Sequence, residues 1–465
     1  MKPFITDHFL LQSDTAVALY QMCKDLPIID YHCHFQPKDY AQNSRFSSIT
    51  ELAIGTDHYK WRLMRANGVA EKYITGDATD LEKFTHWCAT VEDCIGSPLY
   101  HWTHLEMARY FGYDGLVNKK NASDIFQHCN QMIANPDFNV WHIAKKFRLQ
   151  YIATTDAPTD DLAFHKQMAA HREKDPTLPI VAPSFRPAIA IGGRWVTKYL
   201  QALETASNIP IHNWDSLLAA FEQRIDYFHA AGCRISDHGL DNWAFETQGN
   251  PDTILKKAIA GENLTPQEIA CYRSALMIAL AKMYNQRGWV MQLRMGGQGG
   301  NNQRMETVTG SGAGFAAPSD APFSNALAKL LNAMDATDNL PKTILYGLNP
   351  VSDVMLSVLI GCYQDGRTRG KVQWGCPWWF NDHKTGIENH LIALGNNGVL
   401  SRFIGMLTDA RSFMSYPRHE YFRRVMCNTV GNWVTSGEFP QDMEKLQSIV
   451  SGIAYHNAAE YFNLN

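Results

Sequence analysis

Short apolar runs, each closing on a polar cluster and followed by a stretch with helical periodicity, recur along the chain: LPIID, LQYIAT, PIVAPS, CRISD, WVMQL, KTILYG, KVQWG and RFIGML. Such runs are too short for helices and predict strands. The stretches between them predict helices. WDSLLAAFEQRIDYFHAAG carries apolar residues at helical spacing, and TPQEIACYRSALMIALAKMYNQRG opens on Thr265, Pro266 and Glu268, an N-cap with its capping box, and closes at Gly288. Eight strand signals alternating with helices predict an α/β fold with parallel pairing through right-handed crossovers. Eight is also the number that closes a (β/α)8 TIM-like barrel. A doubly wound open sheet is the competing arrangement.

The first two strand signals are too far apart for an ordinary crossover, and the sequence between them reads as helical. It contains TDLEKFTHWCATV, with a Thr79/Glu82 capping box, and PLYHWTHLEMARYFG. The expected organisation is an N-terminal helix and first barrel strand (1–36), an inserted, mostly helical subdomain (37–147), and the remainder of the barrel (148–465). The glycine-rich stretch from Met295 to Phe315 predicts a flexible loop. It lacks the G-x-G-x-x-G spacing and following helix of a nucleotide cradle.

Composition narrows the function classes. The 465 residues are 45% hydrophobic and 19% charged, with a net charge of -4, as in ordinary globular proteins. No general positive field would attract nucleic acid or an anionic membrane, so an anionic ligand has to be held by local charge. Ten cysteines without a C-x-x-C pair predict reduced thiols. The N-terminal MKPFITDHFL lacks the apolar core of a signal peptide, and no apolar run is long enough to span a bilayer. A cytoplasmic homo-oligomer with a small-molecule substrate is expected, with neither nucleic acid nor membrane as partner.

In barrels of this kind the chemistry sits where the strands end. The predicted ends supply Asp30, His32 and His34; Thr155 and Asp156; Arg186; Asp237 and His238; Arg294; Asn349; Asn381 and Asp382; and Asp409 and Arg411. In IIDYHCHFQP, Asp30, His32 and His34 are spaced two apart and share one face of an extended chain. Two imidazoles there and a carboxylate from another strand can hold a divalent cation with positions left for substrate, which makes His32, His34 and Asp409 the candidate ligands. His101 and His104 in HWTHLE form a rival pair at helical spacing, read as a packed helix face. RHEYFRR has His419 and Glu420 but Arg423 where a zincin has its second histidine. Asp156 and Asn349 read as helix caps or loop residues.

With H-x-H at the first strand and MLTDAR at the last, the sequence resembles the uronate isomerases of the amidohydrolase superfamily. The resemblance runs nearly end to end, through DYHCH, GDATDLEKF, SPLYHWTHLE, DHYKWRLMRANGVAE, RGWVMQL, PKTILYGLNP, WWFND and GMLTDARSFMSYPRHEYFRR. It implies interconversion of D-glucuronate with D-fructuronate and of D-galacturonate with D-tagaturonate. It also implies one divalent metal ion, zinc, on His32, His34 and Asp409, with His58, Tyr59, Arg186 and Arg411 lining the substrate pocket. Many relatives carry His where this chain has Arg294, and Arg where it has Gly299. Arg294 is therefore a further candidate for touching the sugar acid, and so is Trp379 of the adjacent pair Trp378 and Trp379, a pair that either stacks on the ring or fills core.

Moving a carbonyl from C1 to C2 requires removal of the C2 proton, stabilisation of an enediolate and return of a proton to C1. Asp409 and Tyr59 are the candidates to divide these transfers, the order being open, with Arg411, Arg186 and His58 around the substrate. Two alternatives remain at this point. One is a metal-dependent hydrolase of a sugar-acid lactone or ester, and the other is a uronate-binding paralogue that has lost turnover through Arg294 and Gly299.

Overall fold

The computed structural model describes residues 3–191 and 197–464. Seven of the eight predicted strands form: β1 (Ile28–Asp30), β2 (Leu149–Ala153), β3 (Ile180–Ala182), β4 (Ile235–Gly239), β5 (Val290–Met295), β6 (Lys342–Gly347) and β7 (Val372–Trp374). β1, β2 and β3 pair in parallel in that order, as do β4, β5, β6 and β7. The two sheets meet through Phe185, which bridges to Asp156 beyond β2 and to Ser236 on β4. The chain is thus an α/β fold with parallel sheets.

The eighth predicted strand, RFIGML, does not form a regular strand. Gly405 takes φ +76° and Asp409 φ +49°, outside the range of β backbone. A side chain at Gly405 would put its Cβ 2.2 Å from the Ile453 carbonyl oxygen. The segment still lies beside β1. Tyr31 Oη donates to Gly405 O (2.7 Å), Asp409 N to His32 O (3.2 Å) and His34 N to Ala410 O (2.8 Å).

Seven α-helices stand between β1 and β2, from Pro37–Ala41 to Val140–Lys146. The Thr79/Glu82 and Thr265/Glu268 capping boxes are both present, and the latter begins the helix Pro266–Gln286. That helix ends at Arg287, with Gly288 at φ +65°. All ten cysteines are free.

The glycine-rich stretch departs from the flexible loop expected. It contains the helix Gln303–Thr309, and Gly297–Gln298 pairs antiparallel with Ala317–Pro318. Arginines from the helix His58–Ala66 hold it: Arg62 Nη1 donates to Gly314 O (2.7 Å) and Ala316 O (2.8 Å), and Arg65 Nη1 to Ala313 O (2.6 Å). Gly314, at φ +97°, would bring a Cβ to 2.9 Å from the His58 carbonyl oxygen, so this close approach requires glycine.

Candidate metal and substrate site

The three polar residues spaced two apart at the end of β1 do not converge on one partner. Asp30, fully buried, accepts from Thr408 N (2.8 Å) and Thr408 Oγ1 (2.6 Å). It ties the first strand to the segment that carries Asp409. Burial pushes its carboxyl up to about 6, against the two bonds from Thr408. Asp30→Ala strands both Thr408 donors, at about 1–3 kcal/mol each; denaturant unfolding should show that loss.

His32 and His34 turn to Asp409. Their Nε2 atoms lie 3.4 and 3.1 Å from Asp409 Oδ1, and one donor atom from each of the three falls within 4.8 Å of the others. His32 is fully buried, its ring 5.1 Å from Trp378. Among the described residues neither nitrogen of His32 nor Asp409 Oδ1 has an aligned hydrogen-bond partner. Buried polar atoms are ordinarily satisfied, so unpartnered atoms on His32 and Asp409, converging with His34 Nε2, are what a cation would complete. His34 Nδ1 lies 3.0 Å from Thr155 Oγ1, whose own proton goes to Cys33 O (2.8 Å). The hydroxyl must therefore accept from Nδ1–H, which leaves the His34 Nε2 lone pair facing Asp409. Burial lowers the His34 pKa and keeps the ring in the neutral form a metal needs. Burial also works against ionisation of Asp409; in the metal-free cluster a proton on an imidazole Nε2 offsets it and holds the carboxyl well below the usual range. The residues present fit a divalent metal ion.

Beside this cluster, fully buried Asp237 receives a two-pronged bond from Arg294, Nε to Oδ1 at 2.7 Å and Nη2 to Oδ2 at 2.8 Å. Arg186 Nε approaches the same Oδ2 at 3.4 Å. Burial opposes the Asp237 charge, but Arg294, His32 and Arg186 outweigh it and hold the carboxyl far below its usual value. The Arg294 guanidinium also lies 5.4 Å over the Trp378 ring. Its charge is committed to Asp237, and the partly exposed Arg186 is the freer of the two cations. Gly299 is exposed and has nothing within 4 Å of where a Cβ would stand. Asp237→Asn leaves two cations short of a counter-charge, one deeply buried, and should cost about 3–5 kcal/mol in denaturant unfolding.

The third wall comes from the helix His58–Ala66, which starts where it does because Asp57 caps it, accepting from Tyr59 N (3.0 Å) and Lys60 N (3.3 Å). Capping places His58 and Tyr59 in the first turn, their rings 4.4 Å apart. Burial lowers His58 to about 4, so it is neutral at physiological pH. Burial, reinforced by Asp409, raises Tyr59 well above the ordinary phenol value, against the pull of Arg418, so it is protonated. His58, Tyr59, Asp409, Arg411 and Arg418 line one small cavity of about 10 Å³. A larger cavity of about 600 Å³ lies at the other end of the strands, beside Trp289, Lys342 and Lys371. In parallel α/β sheets ligands bind beyond the carboxyl ends of the strands, so the residues around the smaller cavity mark the candidate substrate site.

Other residues singled out by sequence fall elsewhere. Of the tryptophan pair, Trp378 packs on His32, whereas Trp379 has φ +53° and sits 6.0 Å from Phe380. His104 Nδ1 contacts Tyr100 O (2.7 Å) and its Nε2 accepts from Val117 N (3.0 Å), as expected of a packed helix face. Glu420 pairs with Arg109 and Arg424. Asn349 caps the turn at Val351, and Asp156 accepts from Thr154 Oγ1 (2.8 Å). Sequence reading did not single out Thr408 or Arg418. The signal for both was position, one beside Asp409 and the other in the helix that follows it.

A family model for glucuronate isomerase matches residues 1–462. The chain is 44% identical over 469 residues to a uronate isomerase of Caldanaerobacter subterraneus subsp. tengcongensis, covering all of both chains. It is 45% identical to one of Bacillus licheniformis, over 99% of this chain and 98% of that one. The structure is similar to that of the uronate isomerase from Thermotoga maritima, with a TM-score of 0.90 at 28% identity over 99% of each chain. It shares its fold with the glucuronate isomerase of Caulobacter crescentus, with a TM-score of 0.89 at 24% identity over 100% and 98% of the two chains. On a match that runs from residue 1 to residue 462, the chain belongs to the glucuronate isomerase family, whose chemistry is aldose–ketose isomerisation of uronates.

Proposed function

We propose that the chain converts D-glucuronate to D-fructuronate and D-galacturonate to D-tagaturonate at the cluster of His32, His34 and Asp409. The observation that carries this reading is the convergence of one donor atom each from His32, His34 and Asp409 within 4.8 Å, with Arg186, Arg411 and Tyr59 disposed around them. A divalent cation, zinc, held by these three side chains would act as a Lewis acid on the substrate oxygens. Family membership sets aside the lactone hydrolase.

The side chains divide the remaining work. Arg411 is exposed at the cavity and makes no hydrogen bond or ion pair through its guanidinium among the described residues, so it is free to take the sugar carboxylate, with Arg186 opposite. Asp409, ionised, accepts the C2 proton. Tyr59, protonated, supplies a proton on the other side of the enediolate, and neutral His58 takes a hydroxyl hydrogen bond. Arg294 acts through Asp237 to hold Arg186 in place, and Trp379 is left as a wall of the entrance.

The fold reading that goes with this is a (β/α)8 barrel closed by the 403–410 segment beside β1, with residues 37–147 as a helical insertion and 148–465 as the rest of the barrel. A coupled assay on both uronates, before and after chelation, tests the function. Turnover should vanish on chelation and return with zinc. Full activity after exhaustive metal removal would refute the metal site, and absence of product from either uronate would refute the substrate assignment.

A further inference from the structure

Asp409 is presented to the histidines in a conformation its backbone does not favour. Its φ of +49° lies in the left-handed region, which side chains other than glycine enter at a cost. Something must hold it there, and the holding points are on Thr408. From one side Asp30 takes the Thr408 N–H and hydroxyl. From the other, Arg418 Nη1 donates to the Thr408 carbonyl at 3.0 Å.

Arg418 is an expensive residue for the purpose. It is 6% exposed, its guanidinium lies 4.1 Å over the Trp102 ring, and among the described residues its Nε has no partner. Its carboxylate neighbour, Asp382, is held off at 3.8 Å and is itself buried, with Oδ1 unpartnered. A pair this loosely made contributes little to stability, and an apolar side chain would fill the same space at lower cost. What an apolar side chain could not do is hold the Thr408 carbonyl while leaning on Trp102 and Asp382, which come from two other parts of the chain.

We propose that Arg418, with Asp382 as its counter-charge, is a positioning residue that locks the strained turn at Asp409 so that its carboxylate faces His32 and His34. This rests on the reading of that trio as a metal site. Arg418 acts through Asp409, so the appropriate readout is the metal's environment.

The test uses full-length protein stripped by chelation and reloaded with Zn²⁺ or Co²⁺. Zinc affinity is measured by competition with a chromophoric chelator, and the site geometry by the visible absorption of the Co²⁺ form. Arg418→Met should weaken zinc binding about 10–100-fold and shift the cobalt bands. Arg418→Lys, which can still donate to the Thr408 carbonyl, should recover most of the affinity. Asp382→Asn, which keeps the packing, should shift the bands and weaken zinc binding by a smaller factor. A folded Arg418→Met protein with parental zinc affinity and cobalt spectrum overturns the inference while leaving the metal site intact. Should Arg418→Met fail to fold, Asp382→Asn decides: shifted bands support the proposal, and an unchanged spectrum with unchanged affinity overturns it. A parent protein that binds neither ion refutes the metal site itself.

Discussion

Asp409→Asn should remove the proposed metal ligand and first base together, and kcat/KM should fall by at least about 10³-fold, the product of an effect worth about 10–100-fold and one worth about 10²–10⁴-fold. The substitution keeps the shape of the side chain and removes its charge. In the parent, that charge is opposed by burial and sustained by His32 and His34. An amide gives the cluster one neutral oxygen in its place, and it cannot accept the C2 proton. The expected result is a folded protein, judged by circular dichroism, that retains little zinc after gel filtration and stays inactive when zinc is added in excess. Stoichiometric zinc with near-parental turnover would remove Asp409 from both roles.

Tyr59→Phe should lower kcat by about 10²–10⁴-fold, the usual contribution of a positioned acid or base, with little change in metal content. The two halves of that result separate its role from Asp409's. Tyr59 is absent from the ligand trio, so the metal should remain. Its hydroxyl is protonated, so what phenylalanine removes is a proton donor. Equally, wash-in of solvent deuterium at C2 should outlast net isomerisation in the variant, because Asp409 can still take the C2 proton and return it. Turnover at the parental rate in Tyr59→Phe would end its assignment.

Much of the site was legible because strand ends announce themselves. Apolar runs that stop on His32 and His34, or on Asp237 and Arg294, combine a burial pattern with residues that burial penalises, and the structure brings these groups to one side of the sheets. The histidine pair at 101 and 104 read as packing because helical spacing suits packing, and His104 has both ring nitrogens engaged. Periodicity could not reveal which of two adjacent tryptophans turns inward; that depends on the positive φ at Trp379, which no local pattern demands. Nor could it place His58 and Tyr59, whose only local signature is the Asp57 cap. The eighth strand signal failed for a similar reason. RFIGML has the right hydrophobicity, but Gly405 and Asp409 bend the backbone away from ladder geometry so that Asp409 can turn toward β1. Arg294 looked like a substrate contact by position, and the fork with Asp237 that redirects it joins residues on two different strands.

The bonds between Asp30 and Thr408 join residues 378 positions apart. The chain must be synthesised through Asp409 before the histidines near the N-terminus can meet the carboxylate proposed to complete them. Until then a growing chain carries His32 and His34 as a two-pronged chelator with no third arm. On the proposed ligand set, metal capture belongs to a late stage of maturation, and a nascent chain halted before Thr408 should let zinc go in a brief wash that the finished protein withstands.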